Sequence, residues 1–386
     1  MKFTIAAHAL KRALDRCNQI APASSAIAEE RTGVLLHVES ERVIFMASDD
    51  TMSIRVEVPA EVEEVGEALV KCNAVSSAIV ATFEDRSFDG TENFVVLSTN
   101  NKNILRITGS TKISEGEKPL SHSRSFPLLN ADFFSETPEF DEAKVTHFPA
   151  FAFMDGLSLV SHAASKDPSK LNFNCICLTL TEDNVVFAAT DGIQIAEYRK
   201  AAKVKGLRGS FILGLKFATV AGKTVDPNLE SVELYVEDNN IFVRNGSFTL
   251  VGALLNTKFP EYGPYMDVSS YKKAVFNTAS FSSVLAGMQP SVDAKTHRLV
   301  LDAKKSGTAI LSTSSTTGEA ESSDLEIQTP EDFDFQFNSV LLQNAVRTFT
   351  SGTFNFYFDK KGKGVLLQSE VLPEFKTYLC TLKKVA

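Results

Sequence analysis

The fold is decided by a phrase near the middle of the chain, Val185-Val186-Phe187-Ala188-Ala189-Thr190-Asp191-Gly192-Ile193-Gln194-Ile195-Ala196. Apolar residues flank a polar break at Thr190-Asp191-Gly192. Asp favours turns and Gly adopts positive φ without strain, so the phrase predicts two strands joined by a tight bend. Similar phrases occur earlier, at Val43-Ile44-Phe45-Met46-Ala47-Ser48-Asp49-Asp50, and later, at Thr308-Ala309-Ile310-Leu311-Ser312-Thr313-Ser314-Ser315. This recurrence indicates a chain built from copies of one unit.

Three such units account for the chain. The first spans 1–128, the second 142–264 and the third 272–386, with an acidic, irregular linker at 129–141. In each unit, apolar residues at helical spacing predict two helices, and alternating segments such as Ser53–Val58 predict half-buried strands. The predicted fold class is therefore α+β, with two helices packed on antiparallel sheets in each repeated unit.

The composition is typical of an ordinary globular protein with an acidic balance. The chain has 386 residues, of which 44% are apolar, and a net charge of −9. Its five cysteines are an odd number without metal-ligand spacing, which predicts free thiols and a cytoplasmic location. The N-terminus has no signal-peptide pattern and no apolar run is long enough to span a membrane, so no membrane association is expected.

The charge is distributed unevenly along the chain. From Tyr198 to Val225 there is no acidic residue, but there are seven basic ones. A basic segment in an acidic protein is typical of a surface that binds a polyanion. A solvated basic loop explains the same pattern equally well, so charge alone leaves both interpretations open.

No catalytic constellation is visible in the sequence. Asp191 has no paired carboxylate, His or metal-ligand cluster at a meaningful spacing, and its counterpart Asp49 indicates a turn role for both. Cys175 and Cys177 fall on one face of a predicted strand rather than in a metal knuckle. The segment Gly206-Leu207-Arg208-Gly209 lacks the Lys-Ser/Thr of a phosphate-binding loop. We therefore expect neither enzymatic activity nor a cofactor or bound metal.

Several phrases, in order along the whole chain, resemble the bacterial β sliding clamps, the processivity factors (DNA polymerase III beta subunits) of replicative DNA polymerases. The matching phrases are Met1-Lys2-Phe3-Thr4-Ile5, Ala189-Thr190-Asp191-Gly192-Ile193-Gln194-Ile195-Ala196, Thr257-Lys258-Phe259-Pro260-Glu261-Tyr262, Gly318-Glu319-Ala320-Glu321 and Phe337-Asn338-Ser339-Val340-Leu341-Leu342. The resemblance is divergent, and it leaves a bacterial and a phage-encoded origin open.

This resemblance implies the DNA-clamp fold, with each unit as one clamp domain. Two chains would pair head to tail into a homodimeric ring around double-stranded DNA, and basic residues would contact phosphates without reading bases. The ring would tether the replicative DNA polymerase, and the clamp loader would dock through short peptide motifs. The edge strand around Lys112-Ile113 is the candidate dimer contact. The competing interpretation is a non-enzymatic, β-rich oligomeric scaffold or viral assembly protein without DNA in its centre.

Candidate DNA-binding residues come from three sources. The resemblance implies Lys216, at a basic inner-helix position, and Lys170, next to a loop that touches DNA in the family. Helical spacing within residues 8–21 places three further cations on one helix face. The basic segment from Tyr198 to Val225 adds two more. The full set is Lys11, Arg12, Arg16, Lys170, Lys205, Arg208 and Lys216.

The resemblance also implies a partner site, because clamp-binding peptides of the family insert into an apolar pocket between the second and third domains. The matching residues are Phe173, Thr190, Gly192, Ile193, Gln194, Ile195, Pro260, Pro264, Tyr265, Leu379, Cys380, Thr381, Leu382 and Lys383. Here Ile193-Gln194 replaces a usual His-Arg, and Thr381-Leu382-Lys383 replaces a usual Met-Pro-Met.

The tail carries a further expectation about this pocket. Alternation over 378–382 predicts a strand, and we expect Leu379 and Leu382, with Ile195, to offer apolar surface to a partner. Ordinary core packing is the alternative for Phe173 and Ile195.

Overall fold

The computed structural model describes residues 1–386 except 25–28, 50, 84–91, 112–119, 133, 136, 316–317, 323, 360–361 and 384–386. The predicted dimer contact around Lys112-Ile113 therefore lies outside the described residues. The elements up to residue 149 are β1 (Lys2–Ala6), α1 (Ala7–Asn18), β2 (Gly33–Val38), β3 (Arg42–Ser48), β4 (Met52–Pro59), β5 (Glu61–Glu64), β6 (Gly66–Lys71), α2 (Cys72–Thr82), β7 (Phe94–Asn100), β8 (Ile104–Thr111), β9 (Leu120–Leu129) and β10 (Thr146–Pro149).

The remaining elements repeat the same pattern of helices followed by strands. Up to residue 253 they are α3 (Ala150–Val160), β11 (Cys175–Leu180), β12 (Asn184–Thr190), β13 (Gln194–Ala201), β14 (Gly209–Gly214), α4 (Leu215–Thr224), β15 (Ser231–Glu237), β16 (Asn240–Asn245) and β17 (Phe248–Ala253). They continue with β18 (Lys272–Asn277), α5 (Thr278–Met288), β19 (Arg298–Lys304), β20 (Thr308–Ser315), β21 (Gly318–Glu321), β22 (Leu325–Gln328), β23 (Phe333–Asn338), α6 (Ser339–Val346), β24 (Thr353–Phe358), β25 (Gly364–Ser369) and β26 (Phe375–Cys380).

The chain folds into two compact units, each built on one antiparallel sheet. Residues 1–151 and 223–254 form the first unit, whose sheet has the order β10-β15-β16-β17-β4-β3-β2-β6-β9-β8-β7-β1-β5. Residues 152–222 and 255–386 form the second unit, with the order β14-β11-β12-β13-β26-β25-β24-β18-β22-β20-β19-β23 and β21 paired to β20. These units cut across the three repeats inferred from the sequence, whose boundaries stay a prediction.

Local sequence explains the form of the elements. In α1, Leu10, Leu14 and Cys17 are buried whereas Arg12 is exposed, which is the amphipathic pattern of a helix packed on one face. Strand β4 alternates buried and half-buried residues as the sequence predicts. Strand β12 is buried almost throughout, which is typical of a strand covered on both faces.

The polar breaks of the first two repeats are the same kind of turn. The Asp49 carboxylate accepts hydrogen bonds from the amides of Thr51 (2.7 Å) and Met52 (2.9 Å). Asp191 Oδ1 accepts in the same way from Ile193 N at 2.9 Å. Side chains that bind the backbone two or three residues ahead stabilise tight turns, so the predicted turn role of both aspartates is confirmed.

The strand predicted at the chain end needs correction. The predicted strand over 378–382 is wrong at its end, since β26 stops at Cys380. Beyond it, Thr381 N donates to Lys363 O (3.2 Å) and Leu382 N donates to Gln336 O (2.7 Å), so these amides bind other segments of the same unit.

The predicted linker at 129–141 is packed against the first sheet. Its described residues between 130 and 141 lie in no strand or helix, and they pack on the first unit. Thr137 is 3% exposed and donates to Ile54 O at 3.0 Å, while Phe134 and Phe140 pack on buried residues of the first sheet.

Candidate partner and DNA-binding surfaces

The turn before β13 is held by its own polar side chains. Thr190 Oγ1 donates to Gln194 O at 2.6 Å and accepts from Gly192 N at 3.1 Å. Gly192 has a φ of 96°, a left-handed conformation that costs other residues energy. The turn projects Ile193 outward, with 52% of its surface exposed. The two matched residues Thr190 and Gly192 therefore shape the turn, and Ile193 is its exposed tip.

Gln194, by contrast, points into the protein. It is 2% exposed, and its Nε2 donates to Asp191 Oδ2 (2.8 Å) and His162 O (3.2 Å). Burial holds the pKa of His162 below its usual value, so this ring is neutral at pH 7. The residue that replaces the family's usual Arg thus builds the turn from within and presents no charge at the surface.

Phe173 is brought against the same turn. A Cβ atom at Gly192 would lie 3.6 Å from Phe173 Cε1, so the half-buried ring covers the glycine. Its loop is closed by the Ser165 N to Phe173 O hydrogen bond of 2.9 Å. The neighbouring side chains Lys170 and Leu171 are exposed. Phe173 is therefore a packing residue of the turn that keeps part of its ring at the surface.

The tail lies beside the turn, as expected, but Leu379 is not exposed. Strand β26 pairs with β13 so that Leu379 is opposite Gln194, and Cys380 N donates to Ile193 O at 2.9 Å. Leu379 is 2% exposed and Ile195 7%, so the expectation that both offer apolar surface is wrong. Both are core residues of central strands, since β13 lies between β12 and β26, and β26 lies between β13 and β25. Among the tail residues after Leu379, Cys380, Thr381 and Leu382 are half-buried and Lys383 is exposed.

A further apolar cluster, which the sequence did not predict, includes the matched residues Ile195 and Cys380. Ile195, Leu366 and Tyr378 form its buried part, and Tyr262, Met266 and Cys380 pack against it. Tyr265 is 48% exposed, and its ring centroid lies 5.3 Å from that of Tyr378. Pro264 is exposed and Pro260 is half-buried.

Tyr378 was missed because no local pattern shows that the chain end pairs with β13. The register that sets Tyr378 opposite Ile195 is the signal that identifies it, and this pairing spans nearly half the chain. All matched pocket residues lie in the second compact unit.

The predicted DNA-binding residues of α1 differ in exposure. Arg12 is exposed and Lys11 is half-buried. The Arg16 guanidinium lies 4.9 Å from the centroid of the Phe248 ring, in a cation–π contact. Burial, and then the nearby charge of Arg12, lower the pKa of Arg16, although an arginine stays protonated at pH 7. Arg12 is thus the most accessible cation of this set.

The basic segment is partly neutralised by its neighbours. Arg199 Nη2 lies 3.1 Å from Glu197 Oε2, and Lys200 Nζ lies 2.5 Å from Glu374 Oε1. Of the predicted DNA-binding residues, Arg208 pairs with Glu182 at 3.2 Å through two exposed side chains. An exposed pair contributes little, so Arg208 stays available to another anion.

The three remaining predicted DNA-binding residues lie at exposed positions. Lys216 is exposed on the first turn of α4, and Lys170 and Lys205 are exposed on loops. These three residues and Arg208 belong to the second unit, whereas Lys11, Arg12 and Arg16 belong to the first.

Neither metal chemistry nor a membrane span has support in the described residues. Among them, no group of three or more His, Cys, Asp or Glu side chains could hold a metal ion. None of the helices in the described part of the chain has the length and apolar character needed to cross a membrane.

Comparison with known proteins agrees with this architecture. The family model for the N-terminal domain of the DNA polymerase III beta subunit matches residues 1–123, and the model for its central domain matches residues 151–261. The beta sliding clamp of Chlamydia muridarum is 22% identical over 275 residues, which cover 70% of this chain and 69% of that protein. The beta sliding clamp of Staphylococcus epidermidis is 20% identical over 234 residues, or 60% of this chain and 58% of that protein.

Solved structures are similar over the full length of both chains. The Pseudomonas aeruginosa DNA polymerase III subunit beta has a TM-score of 0.84 at 16% identity, and a clamp from the same organism bound to griselimycin has 0.86 at 16%. The Thermotoga maritima beta subunit has 0.86 at 15%, and each match covers 100% of both chains. The fold is that of the DNA clamps. With both domain models matching in order, the chain belongs to the DNA polymerase III beta subunit family, the beta sliding clamps.

Proposed function

We propose that this protein encircles double-stranded DNA as a homodimeric ring and tethers the replicative DNA polymerase to it. The observation that carries the proposal is family membership over residues 1–123 and 151–261, joined to a clamp fold over the whole chain. In this role the protein does no chemistry, works in the cytoplasm and needs no cofactor. Each repeat, 1–128, 142–264 and 272–386, forms one clamp domain.

Electrostatics support this role. A net charge of −9 repels DNA from most of the surface, so contact is confined to the places where cations are concentrated. Arg12 and Lys216 are exposed cations on two different helices. Contacts to phosphates carry no sequence information and are individually weak, which suits a ring that slides.

Topological retention on DNA tests the proposal. We expect the protein, once loaded, to stay on closed circular DNA and to leave the same DNA after it is cut once. Light scattering should give the mass of two chains, about 84 kDa from the chain mass of 42.1 kDa. Equal loss from circular and linear DNA would favour the scaffold alternative, and a monomer at micromolar concentration would contradict the homodimer.

Charge reversal at Arg12 and Lys216 should weaken this retention. The double variant Arg12→Glu with Lys216→Glu removes two exposed cations, so the slope of log affinity against log salt should fall by about one for each lost phosphate contact. Lys273→Glu, one reversal of the same kind on an exposed position of β18, is the control for each of the single variants Arg12→Glu and Lys216→Glu. Equal retention by wild type and double variant, at each salt concentration, would remove both residues from the DNA path.

We further propose that the surface around Ile193, Phe173 and Tyr265 receives short peptides of the polymerase, the clamp loader and other partners. Exposed apolar side chains beside a largely apolar cluster support this assignment. The Pseudomonas aeruginosa clamp binds griselimycin, and the same compound is a probe for this chain. The half-buried tail residues Cys380 to Leu382 border the site, and Lys383 supplies an exposed charge.

A further inference from the structure

The cluster beneath the partner surface is closed in this structure. Tyr378 is 4% exposed, Ile195 7% and Leu366 fully buried. Tyr262 and Met266 are among the residues that pack over them. So little exposed surface offers an incoming side chain almost no contact area, and binding here requires that part of the cover moves.

One end of the cover is firmly held. The Tyr262 hydroxyl donates to Glu197 Oε2 at 2.8 Å, and that carboxylate is 6% exposed. The Tyr262 ring also meets Phe259 edge to face, with 5.9 Å between ring centroids. Burial, followed by the charge of Glu197, raises the pKa of Tyr262 far above its usual value, so its hydroxyl remains a hydrogen-bond donor.

The side chain of Tyr265, by contrast, is held weakly. Tyr265 is 48% exposed, and its ring rests on Tyr378 at a centroid distance of 5.3 Å and an interplanar angle of 53°. A single 3₁₀ turn, Gly263–Tyr265, carries it, and a Cβ at Gly263 would meet no described atom within 4 Å. The backbone of this turn is held, since Tyr265 N donates to Tyr262 O and Met266 N donates to Gly263 O, each at 3.0 Å, so movement is confined to the Tyr265 side chain.

We propose that Tyr265 is a movable lid, and that a partner's side chain binds by taking the place of its ring on Tyr378. This inference rests on the proposed partner site and describes how that site is regulated. Lid opening exchanges the contact between the rings of Tyr265 and Tyr378 for a similar contact between the partner and Tyr378. A bound partner therefore stabilises the open form.

The chemistry of the occupant follows from what the lid covers. The side chains of the cluster under Tyr265 are aliphatic, aromatic and sulfur-containing. The space to be filled is that of one aromatic ring. The geometry therefore selects a peptide or cyclic peptide with an uncharged, ring-sized apolar anchor, such as Phe or Leu, and disfavours a charged residue at that position.

A tryptophan reporter tests the movement directly. The chain has no Trp, so Tyr265→Trp gives a single indole at the lid. The probes are griselimycin and a C-terminal peptide of the replicative polymerase from the same source, each titrated into the full-length protein. We expect the Trp emission to shift to longer wavelength at saturation, because the indole leaves Tyr378 for water. Val371→Trp, at a position that is 64% exposed in the same unit, should not respond.

Affinity supplies an independent readout. Tyr265→Ala removes the contact that must be broken, so both probes should bind about 2- to 12-fold more tightly, the range equivalent to one aromatic pair. Tyr265→Phe keeps the ring and should bind like the wild type. Weaker or unchanged binding by Tyr265→Ala would show that the ring is a wall of the site and would overturn the lid.

The outcomes separate this inference from the proposed function. If a probe binds but the emission of the Tyr265→Trp variant does not shift, and Tyr265→Ala does not bind more tightly, the lid alone is overturned. If neither probe binds the wild-type protein, the partner site is wrong and the lid is wrong with it, while retention on circular DNA still tests the ring.

Discussion

Phe354→Ala should lower the free energy of unfolding of the second unit by about 3–5 kcal/mol, the range for removing a buried phenylalanine. Phe354 is fully buried in β24. Its ring lies 5.5 Å from that of Phe276, 5.3 Å from Phe281 and 5.7 Å from Phe349, measured between centroids. A cavity at this point removes contacts with three other rings at once, so the loss should reach the range for core aromatic residues.

Urea unfolding followed by circular dichroism measures this loss. Val340→Ala is the matched control, because it truncates an apolar side chain of the same repeat at a position that is 40% exposed, and we expect it to stay within ~0.5 kcal/mol of the wild type. A loss below ~1 kcal/mol for Phe354→Ala would mean that the aromatic cluster is not tightly packed.

Gly364→Ala should damage both the stability of the second unit and its partner site. A Cβ at Gly364 would lie 2.1 Å from Tyr378 Oη, 2.3 Å from Tyr378 Cζ and 2.8 Å from Leu379 O. The last of these is a backbone atom of β26, so rotating the tyrosine ring cannot relieve every clash. We expect a loss of about 1–3 kcal/mol and a displaced Tyr378, with weaker binding of griselimycin.

A second substitution separates strain from other effects. Tyr378→Leu in the Gly364→Ala background removes the ring and should restore part of the stability, although not the binding, because the clash with Leu379 O remains. The control is Gly287→Ala in α5, where no described atom lies within 4 Å of the new Cβ and the helix gains ~0.5–1 kcal/mol. Equal stability of Gly364→Ala and the wild type would contradict the clash at β25.

Local patterns predicted the turns well and the chain end badly. Asp49 and Asp191 form the expected turns because an Asp side chain and the next few amides decide the outcome alone. The strand at the C-terminus ends at Cys380 because Lys363 and Gln336, distant in sequence, accept the next two amides. Alternation over 378–382 carries no information about those acceptors.

The candidate site shows the same division. The turn and its exposed tip Ile193 follow from the sequence and from the resemblance. The burial of Leu379 depends on β26 lying between two strands, and the role of Tyr378 depends on long-range register. The inward direction of Gln194 depends on a contact with His162 O. None of these long-range partners is visible from spacing along one chain.

The strand pairing of the first unit determines which fragments of the chain can be expressed in a folded form. Strand β17 pairs along β4, so Phe248 lies opposite Val56 and Leu250 opposite Ile54. A fragment that ends at residue 128, as the first repeat does, would leave the edge of β4 without its partner strand β17. It would also lack the linker residues that pack on the first sheet. Such an edge invites pairing with other chains. Expression of the isolated repeat should therefore yield aggregates, and a usable fragment has to carry residues 223–254 by fusion.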